Sequence, residues 1–305
     1  MLPGIVVSHY CLGAAYPVGG PGRIAQLILS VIENKGGRAV TRATVESILI
    51  EDKVATGVIV RGHVIRGKKL VSTIGAFHTF TKLLPPEIAA SYPFLIEVRK
   101  TLENDDVKSS PSHAMTFLTL KGTATSLGLP KANWWIQDDP RFASVFISFP
   151  SAKDPTWTKR HPEISVCEIV VEIPTETFET WKDDHTKNRP PEYLKIKEEL
   201  ANTMCEILFK QFPHLNGKVD FREASTPLSA EHFLGSHKGC AYGLACIPAR
   251  YRVHWLQPAT EIPNLYLGGQ DITSCGIAGG QMGGLIAACS ANRRNSLALR
   301  KNFHF

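Results

Sequence analysis

The chain has 305 residues, of which 43% are hydrophobic and 20% charged, with a formal net charge of +6. That is enough apolar chain for one large domain or two small ones with real cores. Its 34 Lys and Arg residues form no run and are not interleaved with aromatics, which excludes a nucleic-acid-binding stripe. At most the charge favours peripheral association with anionic membrane surfaces. The seven cysteines include no Cys-x-x-Cys pair, and the eleven histidines form no His-Glu-x-x-His array, so no metal site is expected. Residues 1–17 show no basic and apolar leader pattern, and no apolar stretch reaches the ~18–20 residues that a membrane span needs.

Residues 20–34 predict a helix, because Ile24, Leu27, Ile28, Val31 and Ile32 recur at helical spacing and Gly36-Gly37 follows as a stop. A β-meander is expected next, from three strand-like runs at Ala39–Ile50, Val54–Arg61 and His63–Ile74. From about Phe77 to Gln257, prolines and aromatics become frequent. Alternating runs at Ala114–Leu120, Val145–Phe149 and Ser165–Ile173 suggest antiparallel strands there, and residues 191–212 predict a second helix. Asn264–Leu267 then reads as a strand that returns to the first sheet, followed by a glycine-rich helix.

That last segment carries the most chemistry. An apolar strand ends in Gly268-Gly269-Gln270-Asp271, and a short polar loop leads through Ser274 and Cys275 into Gly276-Ile277-Ala278-Gly279. An acid can hydrogen-bond a ribose or ribityl hydroxyl, glycines admit close backbone approach, and a helix start offers N–H groups to an electron-rich ligand. A buried strand–turn–helix with Asp271 as a turn or capping residue, and Ser274 as an N-cap, satisfies the same pattern. A formal Gly-x-Gly-x-x-Ala match at Gly20, Gly22 and Ala25 lacks the preceding buried strand of a dinucleotide fingerprint.

The segment resembles the C-terminal flavin-binding signature of the FAD-dependent oxidoreductases that include phytoene desaturases, carotenoid isomerases and retinol saturases. In the same order as in that group lie Tyr16–Gly20, Gly36-Gly37 with Thr44–Ile48, Phe149–Trp157, Ser225–Leu228 and Lys238–Gly243. The Phe149–Trp157 block resembles the retinol saturases in particular. The resemblance runs from about Tyr16 to about Ala291 and covers the C-terminal half of such a protein, whose N-terminal fingerprint has no counterpart here. It implies an α/β (α+β) fold. Residues 1–76 would be a partial FAD-binding domain, 77–258 an inserted mixed sheet-and-helix substrate-binding domain, and 259–305 the returning FAD-binding strand and helix.

The resemblance further implies FAD as cofactor, with NAD or NADP as a possible reductant. Val45, Gly269, Asp271, Ser274, Gly276, Ile277 and Gly279 would be cofactor-binding, and Tyr242 and Lys238 would be the catalytic candidates, with His232 and His237 as nearby donors. The expected substrate is an apolar polyene or retinoid, and the expected setting the endoplasmic reticulum membrane, without metal or nucleic acid. Saturation of a carbon–carbon double bond is the first reading. A redox-neutral carotenoid isomerase-like reaction and a truncated, non-catalytic remnant are the alternatives.

Overall fold

The structure, a computed structural model, describes residue 11 and residues 13–292. Most of residues 1–17, where no leader pattern is expected, and the end of the 259–305 segment lie outside the described residues. In chain order the elements are α1 (Gly22–Asn34), β1 (Val45–Glu51), β2 (Val54–Val60), β3 (His63–Arg66), β4 (Leu70–Ser72), α2 (Pro93–Glu103), β5 (Ser112–Lys121), β6 (Trp134–Ile136), β7 (Val145–Ser148), β8 (Ile164–Ile173), α3 (Pro191–Gln211), β9 (Val219–Ser225), α4 (Pro227–Leu234), β10 (Leu265–Leu267) and α5 (Gly276–Ala291). The chain divides into two compact units. One holds the described residues up to Val40 together with Ser112–Leu234; the other holds Thr41–Pro111 and the described residues from Gly235 onward. These divisions fall at other places than 76/77 and 258/259.

The first unit is built on a sheet of order β6-β7-β8-β5-β9 with every neighbour antiparallel. Strict alternation makes it one-sided. Ala114, Leu118 and Leu120 of β5, Cys167, Ile169 and Val171 of β8, and Val145 and Ile147 of β7 are buried in one core. Helix α3 adds Tyr193, Met204, Ile207 and Leu208 to that core. Thr116, buried among them, donates its hydroxyl to Met204 Sδ at 3.2 Å.

Helix α1 ends as its glycines require: the Gly36 N–H bonds to Glu33 O and the Gly37 N–H to Ile32 O, with Gly36 at φ +79°. Its apolar stripe contains no buried residue.

The Phe149–Trp157 block supports this unit. Phe149 is buried edge-on against Phe212, with ring centroids 5.2 Å apart. The Asp154 carboxylate, also buried, accepts the Gly19 N–H at 3.2 Å, the Thr156 N–H at 2.9 Å and the Thr156 hydroxyl at 2.8 Å, and pairs with Arg160. Trp157 Nε1 donates to Ile164 O at 2.8 Å.

The second unit opens with the antiparallel meander β1-β2-β3. Both hairpins turn on two residues of positive φ, Asp52-Lys53 (47° and 60°) and Arg61-Gly62 (51° and 73°), which matches the right-handed twist of the strands. The third predicted run is split, because Gly67-Lys68-Lys69 interrupts it: β3 stays in the meander while β4 leaves to pair in parallel with β10, Leu70 to Leu265 and Ser72 to Leu267. Residues 39–44 are not strand. Helix α5 is buried along Gly279, Gly283, Ala287 and Ala291, one residue per turn on a single face. A Cβ at Gly283 would lie 2.0 Å from Gly269 O, so only glycine lets the helix sit this close.

Burial alone would raise the Asp154 carboxyl, but the hydrogen bonds from Thr156, Gly19 and Arg160 outweigh it and bring it down to about 2. A depressed carboxyl stabilises the fold above its unfolded value and loses that contribution as pH falls through the folded one. We therefore expect Asp154 to contribute on the order of 2 kcal/mol near neutrality, lost between about pH 4 and pH 2. Asp139, held at about 2 by Arg141, titrates in the same window. The difference between wild type and D154N in urea unfolding across that window isolates Asp154, and parallel curves would refute its role.

Candidate functional site

Because β4 and β10 are parallel, the loops after them, Thr73–Ala76 and Gly268–Ser274, leave from the same sheet edge. The carboxyl ends of parallel strands are where α/β folds present ligand-binding loops. The Gly268 N–H bonds to Ser72 O at 2.9 Å and holds the two loops side by side.

Asp271 is the centre of this arrangement. Its carboxylate is buried, with Oδ1 accepting the Leu244 N–H and Oδ2 the Ala76 N–H, both at 2.8 Å. It thus ties the Thr73–Ala76 loop and the Gly243-Leu244 turn to the end of β10. A Cβ at Gly243 would lie 2.2 Å from Asp271 Oδ1, so the turn must be glycine for the carboxylate to reach it. A carboxylate has about four lone-pair sites, so two bonds leave it capacity to accept a ligand hydroxyl.

Arg250 has no sequence signal and was not among the expected site residues, yet it is 1% exposed and clamps the same loop. Nη1 donates to Leu244 O at 2.6 Å; Nη2 donates to Gln270 O at 2.6 Å, to Asp271 O at 2.9 Å and more distantly to Thr273 O at 3.4 Å. An isolated Arg in Pro248-Ala249-Arg250-Tyr251 forms no pattern, which is why sequence reasoning passes over it.

Cys275, not Ser274, occupies the N-cap position of α5. Gly276 follows at φ +85° with open space around it, and Ile277 is 63% exposed, so this helix start is accessible. Gly279 differs: a Cβ there would lie 1.7 Å from Ser274 O, and its own carbonyl accepts the Thr273 hydroxyl at 2.7 Å. Gly279 packs the helix on its loop.

Val45 lines a cavity of 610 Å³ with Thr44, with Ile48 of β1, with Leu70–Ile74, and with His78 and Lys82. Thr73 also abuts Gly269, since its carbonyl oxygen is 3.4 Å from where a Cβ on that residue would stand. Val45, Gly269, Asp271, Ser274, Gly276 and Ile277 are therefore strung along one path of this unit. Ser72, Thr73 and Gly75 join them; the signal for these was a Ser/Thr-x-Gly run directly after an apolar strand.

Lys238 and Tyr242 are placed differently. Lys238 pairs with Asp105 at 3.0 Å, where both side chains are about half-exposed. Tyr242 is 45% exposed, directly before Gly243, and its N–H bonds to Ser110 Oγ at 2.9 Å. His237 stacks on Phe77, and burial, with Lys238 and His78 nearby, pushes it down to about 4. It is neutral at physiological pH. His232 lies on α4 in the other unit.

No family model matches the chain. It is 33% identical over 325 residues to an all-trans-retinol 13,14-reductase from Rattus norvegicus, an alignment that covers 96% of this chain and 52% of the relative. The chain belongs to the retinol saturase family. It spans about half the length of the curated relatives it matches. A prolycopene isomerase from Arabidopsis thaliana is 27% identical over 249 residues, which is 77% of this chain and 38% of that protein. Among solved structures, an oxidoreductase from Methanosarcina mazei superposes with a TM-score of 0.53 at 18% identity, over 90% of this chain and 55% of its own, a likeness of fold. Retinol saturase family membership thus rests on sequence, and the mixed helix-and-strand fold agrees with it.

The Asp271 bonds make a stability prediction. D271A strands two buried N–H donors, so it should cost about 2–5 kcal/mol in urea unfolding, and D271N, which keeps one acceptor oxygen, less. Two variants as stable as wild type would show that the carboxylate does not hold the loops.

Proposed function

We propose that this chain forms the flavin-facing and substrate-binding part of an FAD-dependent oxidoreductase that saturates a carbon–carbon double bond of all-trans-retinol or a related polyene. The observation that carries the reading is the path from Val45 past Thr73 to Asp271 and the open start of α5, in a member of this family. The residues fit a flavin. Val45 and the cavity beside it would hold an adenosine portion, Gly269 and Asp271 would hold the ribityl chain, and Ser274, Gly276 and Ile277 would hold the flavin ring. Gly279 serves by letting the α5 start lie against Ser274.

Bound flavin supplies the hydride for reduction of a double bond, and a nicotinamide nucleotide, NAD or NADP, is the proposed source of its electrons. The chain supplies the rest: backbone N–H groups at the α5 start to orient the ring, and a group to place the proton. Tyr242 is our choice for that group. Lys238 is the weaker candidate, since it already pairs with Asp105. Association with the endoplasmic reticulum membrane is proposed as peripheral; no helix among the described residues is long and apolar enough to cross a membrane. Metal plays no part in this reading, and no group of three or more His, Cys, Asp or Glu among the described residues is placed to hold one.

The Gly20/Gly22 stretch does not serve as a pyrophosphate site, because the residues before it, 13–17, are not strand. The 305-residue chain alone should therefore purify with little flavin, whereas joining it to a dinucleotide-fingerprint segment should yield flavin-loaded protein with visible flavin absorbance. Stoichiometric FAD on the chain alone would contradict this.

The completed protein, given all-trans-retinol and reduced flavin, should release a product heavier by two hydrogens in mass spectrometry. Y242F should slow that step by about 100-fold or more if the hydroxyl places the proton. Products that are only geometric isomers, with no gain in mass, would favour the isomerase alternative instead. An unchanged Y242F rate at equal flavin loading would remove Tyr242 from the chemistry.

A further inference from the structure

Two cysteines of the second unit meet beside the buried Arg250. Cys246 lies in the turn between Leu244 and Arg250, and Cys275 is the N-cap residue of α5. The guanidinium spans both segments. Its Nη1 donates to Leu244 O and to Cys246 Sγ, the latter at 3.4 Å. Its Nη2 donates to the carbonyls of Gln270, Asp271 and Thr273, in the loop that runs into Cys275. The Cys275 thiol and the Tyr251 hydroxyl also hydrogen-bond with Cys246. Burial raises both groups, and the bond to Cys246 raises each further, so both are donors and Cys246 Sγ is their acceptor.

Three donors thus converge on one sulfur. A cysteine sulfur is a weak acceptor, and the packing of a small apolar residue calls for none of them. Partial exposure beside a cationic donor is the setting of a reactive cysteine. Cys246 and Cys275 are both partly exposed free thiols, whereas Cys167, Cys205 and Cys240 are buried. Cys167 and Cys205 also lie near one another, but inside the core of the first unit.

We propose that Cys246 and Cys275 are a redox-active pair that a peroxide converts into a disulfide. Cys246 Sγ attacks one peroxide oxygen, the O–O bond breaks, and the thiol proton leaves with the other oxygen as water. The product is a sulfenic acid on Cys246. Cys275 Sγ then displaces the sulfenic hydroxyl, which departs with the Cys275 proton as a second water, and the S–S bond forms. The two thiols lose two hydrogens and two electrons, and the peroxide takes them up. An external thiol reverses the bond by exchange. Cys246 reacts first because the donors gather on it, and Cys275, kept protonated by burial, resolves it. Cys275 stands between Ser274 and Gly276, so the state of the pair is set among the residues proposed for the flavin ring. That last consequence alone rests on the reading above.

The test needs no flavin. The full chain, dilute and reduced, is treated with hydrogen peroxide, alkylated, digested without reductant and mapped by mass spectrometry. We expect a linked Cys246–Cys275 peptide, two hydrogens lighter than its reduced halves, that dithiothreitol releases. In C275S the sulfenic acid has no resolving partner, so dimedone should label Cys246 there and label it far less in the wild-type chain. In C246S, Cys275 should stay open to alkylation. Serine keeps the size of the side chain and is itself a good N-cap, and circular dichroism and urea unfolding establish that each variant is folded.

Exposed Cys11 reports that the peroxide dose was sufficient. Both thiols still alkylated in wild type at that dose would overturn the proposal. So would Cys246 or Cys275 linked to another cysteine instead, or Cys275 oxidised equally in C246S. The reductase reading fails on a different observation, the lack of a hydrogenated product from the flavin-loaded protein.

Discussion

The second unit depends on a buried pair of opposite charges that do not touch as an ion pair. Arg250 and Asp271 are both removed from solvent, and each is satisfied by backbone: the guanidinium by the carbonyls of Leu244, Gln270 and Asp271, the carboxylate by the N–H groups of Leu244 and Ala76. Burying an ion costs several kcal/mol unless its hydrogen-bonding capacity is met, and here charge-assisted bonds offset that cost. Leu244 is held from both sides, its N–H by Asp271 and its carbonyl by Arg250. The loop after β10 is thereby fixed against two other loops without a regular element crossing between them, which suits a surface that must meet a ligand with backbone atoms at fixed positions.

That lock explains the spacing of the glycines better than ligand chemistry alone. Gly243 is required by Asp271 Oδ1 and Gly283 by Gly269 O, and both would clash with any Cβ. Gly276 has open space. The first two make the loop possible, and the third keeps the helix start accessible. A sequence signature that reads as one cofactor motif is thus two demands superimposed: close packing of α5 on its loop, and an unobstructed helix N-terminus.

Most of the regular structure was legible, because strict periodicity survives translation into burial. The alternation over Ser165–Ile173 became β8, the i, i+3, i+4 pattern over 191–212 became α3, and Gly36-Gly37 capped α1. The run His63–Ile74 misled, since a single stretch of β-formers can serve two sheets when Gly67-Lys68-Lys69 lets the chain change direction. Asp271 was legible as a residue of consequence, but not its backbone partners, which lie 27 and 195 positions away in the chain. Arg250 was illegible for the same reason. A lone charge carries no period, and its value is set only by which carbonyls the fold brings to it.

The Phe149–Trp157 block shows how a family marker arises with no single reacting residue in it. Phe149 fills the core, Asp154 gathers Gly19 and Arg160, Trp157 bonds Ile164, and Ser151 takes the Val166 N–H. Each is a modest structural bond, and together they fix a four-residue turn against β8. Lys153 closes that turn and is held by Ser148 and Asn133 beside Glu168, on the face where the sheet keeps its exposed aromatic rings. A lysine on a flexible loop would swing into solvent, and ordering it costs side-chain entropy. Held by its neighbours, it has most of that cost already met by folding. The block therefore acts as one structural unit: the half-buried Lys153 ammonium is held against Ser148 and Asn133 by a turn that is itself bonded to β8.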